Sequence, residues 1–163
     1  MSVIQLISNS LQRSLQMLQH TLADFSDADF FVRPATGANH AAWQLGHLIA
    51  SETRMVGRAN PDAPAKLPAG FAEKFSKETA RVDDPEQFPT KAQILEQLAM
   101  TRAASVAWCE SLTPELLDHP TPTGSPPMIP TFGSVLLLIP SHTAMHMGQL
   151  QVLRRKLGKP ILF

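Results

Sequence analysis

Residues 131–160 read TFGSVLLLIPSHTAMHMGQLQVLRRKLGKP, and this stretch decides the fold. Thr131 is an N-cap residue type, with a hydroxyl that can accept a backbone N–H one turn on. Gly158, followed by Lys159 and Pro160, is a stop signal: glycine takes the left-handed cap conformation and proline cannot extend the ladder. Between these signals Val135, Ile139, Leu150 and Leu153 recur at helical spacing. The pattern predicts a helix over about 131–157. Pro140 lies inside it and removes one ladder hydrogen bond, which predicts a kink or a later helix start. His142 and His146 stand i, i+4, so on this helix their rings share one face, one turn apart.

Working outward, the 14 prolines avoid three further long stretches, 1–33, 35–60 and 90–113. Proline inside a helix costs about 3 kcal/mol, so helices belong in those gaps. Leu and Ala together number 39 against 14 for Val and Ile, and tyrosine is absent, a bias toward helix over sheet. Ile4, Ile7, Leu11, Leu15, Leu18 and Leu22 step by three or four. So do Ile94, Leu98, Thr101, Ser105, Trp108 and Leu112. Thr90 and Gln93 form a capping box, Asn39 can cap the second helix, and Asn60-Pro61 ends it. Thr113-Pro114-Glu115 opens a short extra turn. The expected map is four helices, about 2–24, 40–59, 90–112 and 131–157. Linker 61–89 is long, with room for a short helix near 70–80, and linker 113–130 is irregular. Two helices alone cannot bury a core, so 1–163 reads as a single all-α domain: a four-helix bundle with two long connections.

Composition narrows the function. A chain of 163 residues, 44% apolar and 17% charged, has the size and composition of one folded domain and excludes disorder. Fourteen basic and fourteen acidic residues cancel, which argues against a general nucleic-acid binder. A lone cysteine, Cys109, excludes a disulfide framework and a multi-Cys zinc site. The opening MSVIQLISNSLQRSL has neither a basic start nor an uninterrupted apolar core, and the longest apolar run, Val135 to Pro140, is far short of the roughly 20 residues a membrane span needs. The expectation is a soluble, cytoplasmic protein without nucleic-acid or membrane partners, acting on a small molecule.

The histidine pair on the fourth helix has two readings, packing rings or metal ligands. Its apolar flanks favour the second, because a buried neutral imidazole needs a partner and a metal supplies one. Thr143 occupies the position of the general-base glutamate in a HExxH protease site, so a peptidase is not indicated. A third ligand must come from elsewhere, and His47, between Leu45 and Leu48 in mid-helix, is the best candidate. His20, His40 and His119 read as solvated. Trp43, one turn before His47, either walls the pocket or packs in the core. Gln149, three residues after His146, is a candidate for orienting substrate or a ligand. Glu52 follows His47 by five residues, which turns it off the His47 face, and no other general base stands out. Arg54, Arg154 and Arg155 are candidate anion contacts, the last two reading more simply as solvated residues that suit a helix C-terminus. Cys109 reads as a small core residue.

The segment NHAAWQLGHL, residues 39–48, resembles the second-helix motif of the DinB/YfiT-like superfamily of damage-inducible four-helix proteins. SHTAMHMGQL, residues 141–150, resembles its fourth-helix motif of His, three residues, His, one residue and Gly-Gln. The resemblance extends over nearly the whole chain. It implies an up-down-down-up bundle, a divalent metal (zinc or nickel) held by His47, His142 and His146, and a homodimer. Family activities are thiol-dependent transfers, with mycothiol, bacillithiol or glutathione, and a maleylpyruvate isomerisation. Met147 departs from the pattern, standing where many members carry arginine.

Three imidazoles on one divalent ion leave positions open for water or substrate. As a Lewis acid such an ion suits a hydrolase; by ionising a bound low-molecular-weight thiol it suits an S-transferase. The competing expectations are a non-catalytic metal- or ligand-binding stress protein and a bundle whose histidines merely pack.

Overall fold

The computed structural model describes residues 1–162. Four long helices carry it: α1 (Val3–Leu22), α2 (Ala41–Ala59), α3 (Lys91–Ser111) and α4 (Phe132–Lys156). Each expected helix is present, within two residues of its expected ends. Ser2–Gln5, Thr90–Gln93 and Thr131–Ser134 form capping boxes at the starts of α1, α3 and α4. Gly158 takes the left-handed conformation past the end of α4, at φ 67°. Pro140 is accommodated inside α4 rather than delaying its start. One cap differs from expectation. Not Asn39 but His40 caps α2, its Nδ1 accepting from the Trp43 amide at 3.1 Å. His40 is fully buried and its Nε2 lies 3.1 Å from the Val82 carbonyl, so it is a structural cap and not the solvated residue its position implied.

The helix directions follow from which ends meet. Ser8, early in α1, donates to Glu110, late in α3, at 2.6 Å, so α1 and α3 run antiparallel. Arg154, late in α4, donates to the Thr21 carbonyl, late in α1, at 2.8 Å, so α1 and α4 run parallel. Leu45, early in α2, shares a core cluster with Leu150 and Leu153, late in α4, and Val56, late in α2, shares one with Val135, early in α4, making that pair antiparallel. The order is up-down-down-up, and α1 and α2 each pack chiefly between α3 and α4. The consecutive pairs α1–α2 and α3–α4 therefore sit diagonally, while α2 and α3 are neighbours that run parallel, so each connection must be long.

Those connections are not bare loops. Linker 61–89 holds single 3-10 turns at Glu73–Phe75, Lys77–Thr79 and Pro85–Gln87 in place of one short helix. It packs Phe71, Phe75 and Phe88 into the core. Linker 113–130 forms a 3-10 turn at Pro114–Asp118, and the chain makes one antiparallel bridge between Pro120 and Thr131.

The core has two apolar halves. One joins Leu18 and Leu22, Leu45 and Ile49, Ile94 and Leu98, and Leu150 and Leu153. The other joins Ile7 and Leu11, Val56 and Ala59, Trp108 and Cys109, and Val135, Leu136 and Ile139. In every helix the residues between the two halves are polar: Ser14, then Ser51 and Glu52, then Thr101, Arg102 and Ser105, then His142, Thr143 and His146. A polar layer thus crosses the middle of the bundle. Among the described residues no helix is long and apolar enough to cross a membrane.

Candidate metal centre

His47 from α2 and His142 and His146 from α4 converge on one side of that polar layer. Each offers one ring nitrogen, and the three nitrogens lie within 4.8 Å of one another. Ring centroids are 5.3 Å apart for His47–His142, 5.4 Å for His47–His146 and 4.9 Å for His142–His146. The i, i+4 spacing on α4 supplies two rings by helix geometry alone; the antiparallel pairing with α2 supplies the third.

The rings are held from behind. The Trp43 indole stacks on His47, centroids 5.0 Å apart and planes at 8°. Trp43 is itself fixed from linker 61–89, its Nε1–H reaching the Ser76 carbonyl at 3.2 Å and Thr79 Oγ1 at 3.1 Å. Gly46 lets Phe75 close against α2 beside His47: a Cβ at Gly46 would meet the Phe75 ring at 2.2 Å. His146 Nδ1 lies 3.1 Å from Gln44 Oε1, and Gln44 Nε2 donates to the Asn39 carbonyl at 2.6 Å. That second bond orients the amide with its oxygen toward the ring, so His146 carries its proton on Nδ1 and presents a bare Nε2 lone pair.

All three imidazoles are held below the ordinary histidine pKa. Burial is the largest cause in each; for His146, which is pushed down to about 4, the neighbouring His142 and His47 add to it. Arg54 contributes to the lowering at His47 and His142. At neutral pH the cluster is three uncharged nitrogen donors, the state a divalent metal requires. Donor type, proximity, neutrality and the hydrogen bond behind His146 all fit a metal ion.

Glu52 is turned off the His47 face, as its spacing predicts, and its carboxylate is fully engaged. Arg102 binds it through Nε at 2.9 Å and Nη2 at 3.0 Å, and Ser105 donates to it at 2.8 Å. Arg102 also donates to the Leu11 carbonyl and Ser14 Oγ, both at 2.6 Å, and to Thr143 Oγ1 at 3.0 Å. All five guanidinium donors thus have acceptors, drawn from the other three helices.

A pocket of about 320 Å³ opens beside His47 and His142. Met55, Ile129, Leu138 and Met145 give it apolar walls, and Arg54 and Arg58, both exposed, stand at its rim. The other expected site residues separate. Gln149 is exposed on α4, outside the hydrogen bonds that hold the rings; Gln44 takes the orienting part that spacing had suggested for it. Arg154 is not solvated: it is buried and pairs with Asp24 at 2.6 Å. Arg155, like His20 and His119, is exposed. Cys109 is fully buried, its thiol pushed up to about 11 by burial and by Glu110. Gln44 and Arg102 went unread in the sequence. The signal for both was a polar residue on a stripe that its neighbours mark as core-facing.

The sequence model of the DinB superfamily matches residues 10–150. None of the curated proteins matches the chain. Among solved structures, a conserved protein from Enterococcus faecalis is similar over 98% of this chain and 99% of its own, at 24% identity and a TM-score of 0.75. YfiT from Bacillus subtilis, described as a probable metal-dependent hydrolase with an unusual four-helix bundle topology, is similar over 98% of this chain and 91% of its own, at 19% identity and a TM-score of 0.64. At these identities the likeness speaks to the fold.

Proposed function

This chain belongs to the DinB superfamily, and from that premise we propose that it is a metal-dependent enzyme acting on a small molecule, either a hydrolase or a thiol-dependent S-transferase. His47, His142 and His146 hold the ion, with zinc or nickel the metals suited to a set of neutral imidazoles. The observation that carries this reading is the meeting of three uncharged ring nitrogens within 4.8 Å, beside an apolar pocket. Bound there, a divalent ion supplies Lewis acidity toward a water, a thiol or a substrate oxygen.

The chain's own residues do the rest. Gln44 holds the His146 proton on Nδ1, and Trp43 fixes the plane of His47. The pocket walls exclude water from the substrate's apolar part. Cys109, buried and held protonated, is no nucleophile, so any thiol chemistry uses a thiol that arrives as a small molecule.

Elemental analysis of the purified protein, wild type against His47→Ala and His142→Ala, tests the metal. About one equivalent of a divalent transition metal is expected in the wild type and little in either variant; equal contents overturn the reading. A panel of esters, amides, and thiol–electrophile pairs then separates hydrolase from transferase.

A second reading, non-catalytic metal or ligand binding, is favoured by one observation. Glu52, whose charge acts on His142, is committed to Arg102 and Ser105, and among the described residues no acidic side chain lines the pocket. A metal-loaded protein inert across the whole panel supports it, and turnover of any member excludes it.

A further inference from the structure

The charges around the pocket do not balance. Arg54 and Arg58 stand at its rim and no Asp or Glu lines it. Among the described residues the ion pairs join Arg33 to Asp83, Arg102 to Glu52, Arg154 to Asp24 and Lys159 to Asp29; neither rim arginine has a carboxylate. Arg58 is partly occupied, donating to the Gly124 carbonyl at 2.8 Å. Arg54 makes only a long contact, 3.5 Å, to Ser51 Oγ, which in turn lies 3.5 Å from His47 Nε2. A hydroxyl therefore links the Arg54 guanidinium to the histidine cluster. The walls between are apolar, and the volume, about 320 Å³, suits a small ligand.

We propose that this pocket takes a small molecule with an apolar body and a carboxylate, and that Arg54 is the specificity-determining residue that receives the carboxylate. A guanidinium presents a planar fork matched to a carboxylate's two oxygens. The apolar walls take the ligand's body, while giving no purchase to a polycharged ligand. A cationic substrate is disfavoured by both arginines and finds no acidic partner. A ligand anchored at Arg54 has its other end toward His47 and His142, so the carboxylate sets which bond lies at the cluster. This inference rests on the metal-site reading for its catalytic meaning; the recognition itself does not need the metal.

The test uses two probes of one shape, 4-phenylbutyrate and its neutral amide, titrated calorimetrically into zinc-loaded and chelator-stripped protein. The acid is expected to bind about tenfold more tightly than the amide in both forms, the discrimination of one charged hydrogen-bonded contact. Arg54→Gln should lose that preference, with amide affinity, zinc content and melting temperature unchanged, and Arg54→Lys should restore part of it. Equal binding of acid and amide, or failure of the acid to bind at millimolar concentration, overturns the proposal. So does a preference that survives Arg54→Gln but disappears on stripping the metal, since the anion then sits on the ion. Protein that never takes up metal defeats the metal-site reading, yet the stripped-form titration still decides for or against Arg54.

Discussion

Two polar clusters share the middle layer of this bundle, and they are built on opposite principles. Around Arg102 every donor has an acceptor: five guanidinium bonds and a serine bond to Glu52 close the network on itself. Around His47, His142 and His146 the hydrogen bonds among the described residues are two, one that His146 Nδ1 donates to Gln44 Oε1 and a 3.5 Å contact between Ser51 and His47. One nitrogen from each ring lies within 4.8 Å of the other two. A buried polar network satisfied from within holds a fold together. One whose acceptors face each other is completed by something from outside, and neutral imidazoles select a cation with ligand positions to fill. The same layer thus divides into a closed half and an open half.

Replacing Arg102 by Ala is the strongest way to break that contrast. It strands Glu52 in the core and should destabilise the protein by about 3–5 kcal/mol, the usual effect of removing one partner of a buried pair; urea denaturation reads it directly. A loss below 1 kcal/mol would mean that the Arg102 network is not structural. Chelation probes the other half. With metal at a hundredfold excess over its dissociation constant, the bound form should be about 2.7 kcal/mol more stable than the stripped form, a difference that should vanish in His142→Ala. Melting curves with and without chelator measure it.

Gln44 sharpens the comparison because it serves the histidines while sitting in the core. Gln44→Leu frees the His146 tautomer and should weaken metal binding about 10–100-fold, while Gln44→Glu, which keeps the acceptor, should retain more of the affinity. Competition with a chromogenic chelator decides, and unchanged affinity in Gln44→Leu removes Gln44 from the site. The last test is of pH. His146 is held near 4 in the fold against an ordinary 6.5, so the unfolded chain binds more protons in between. Stability of the metal-free protein should fall as pH drops through that window, by about 1.4 kcal/mol per pH unit for each histidine so affected. A flat profile from pH 7 to 4 would show that these rings titrate normally.

Much of this was legible in the chain. Helical spacing, the Thr90–Gln93 capping box, the Thr131 cap and the glycine stop located the four helices because each is a local signal, decided within a turn or two of backbone. His142 and His146 were legible as a pair for the same reason. The readings that failed were those in which a residue's environment comes from another element. His40 was taken as solvated because nothing local shows that Val82 and Phe88, from the linker, close over it. Arg154 suited a helix end until Asp24 and the Pro160 carbonyl enclosed it. Gln149 had the right spacing from His146, but spacing along one helix does not say which side a neighbouring helix covers.

Sequence alone therefore determined the elements, the class of fold and the residue types able to bind a metal, since propensity, capping and period are properties of short segments. Only the tertiary structure decided which polar residues of the middle layer are spent on one another and which are left to meet a ligand. That assignment depends on helices from distant parts of the chain being brought side by side. Arg102 and Glu52 lie fifty positions apart, Gln44 and His146 a hundred and two, and no local pattern records whether such a pair will meet.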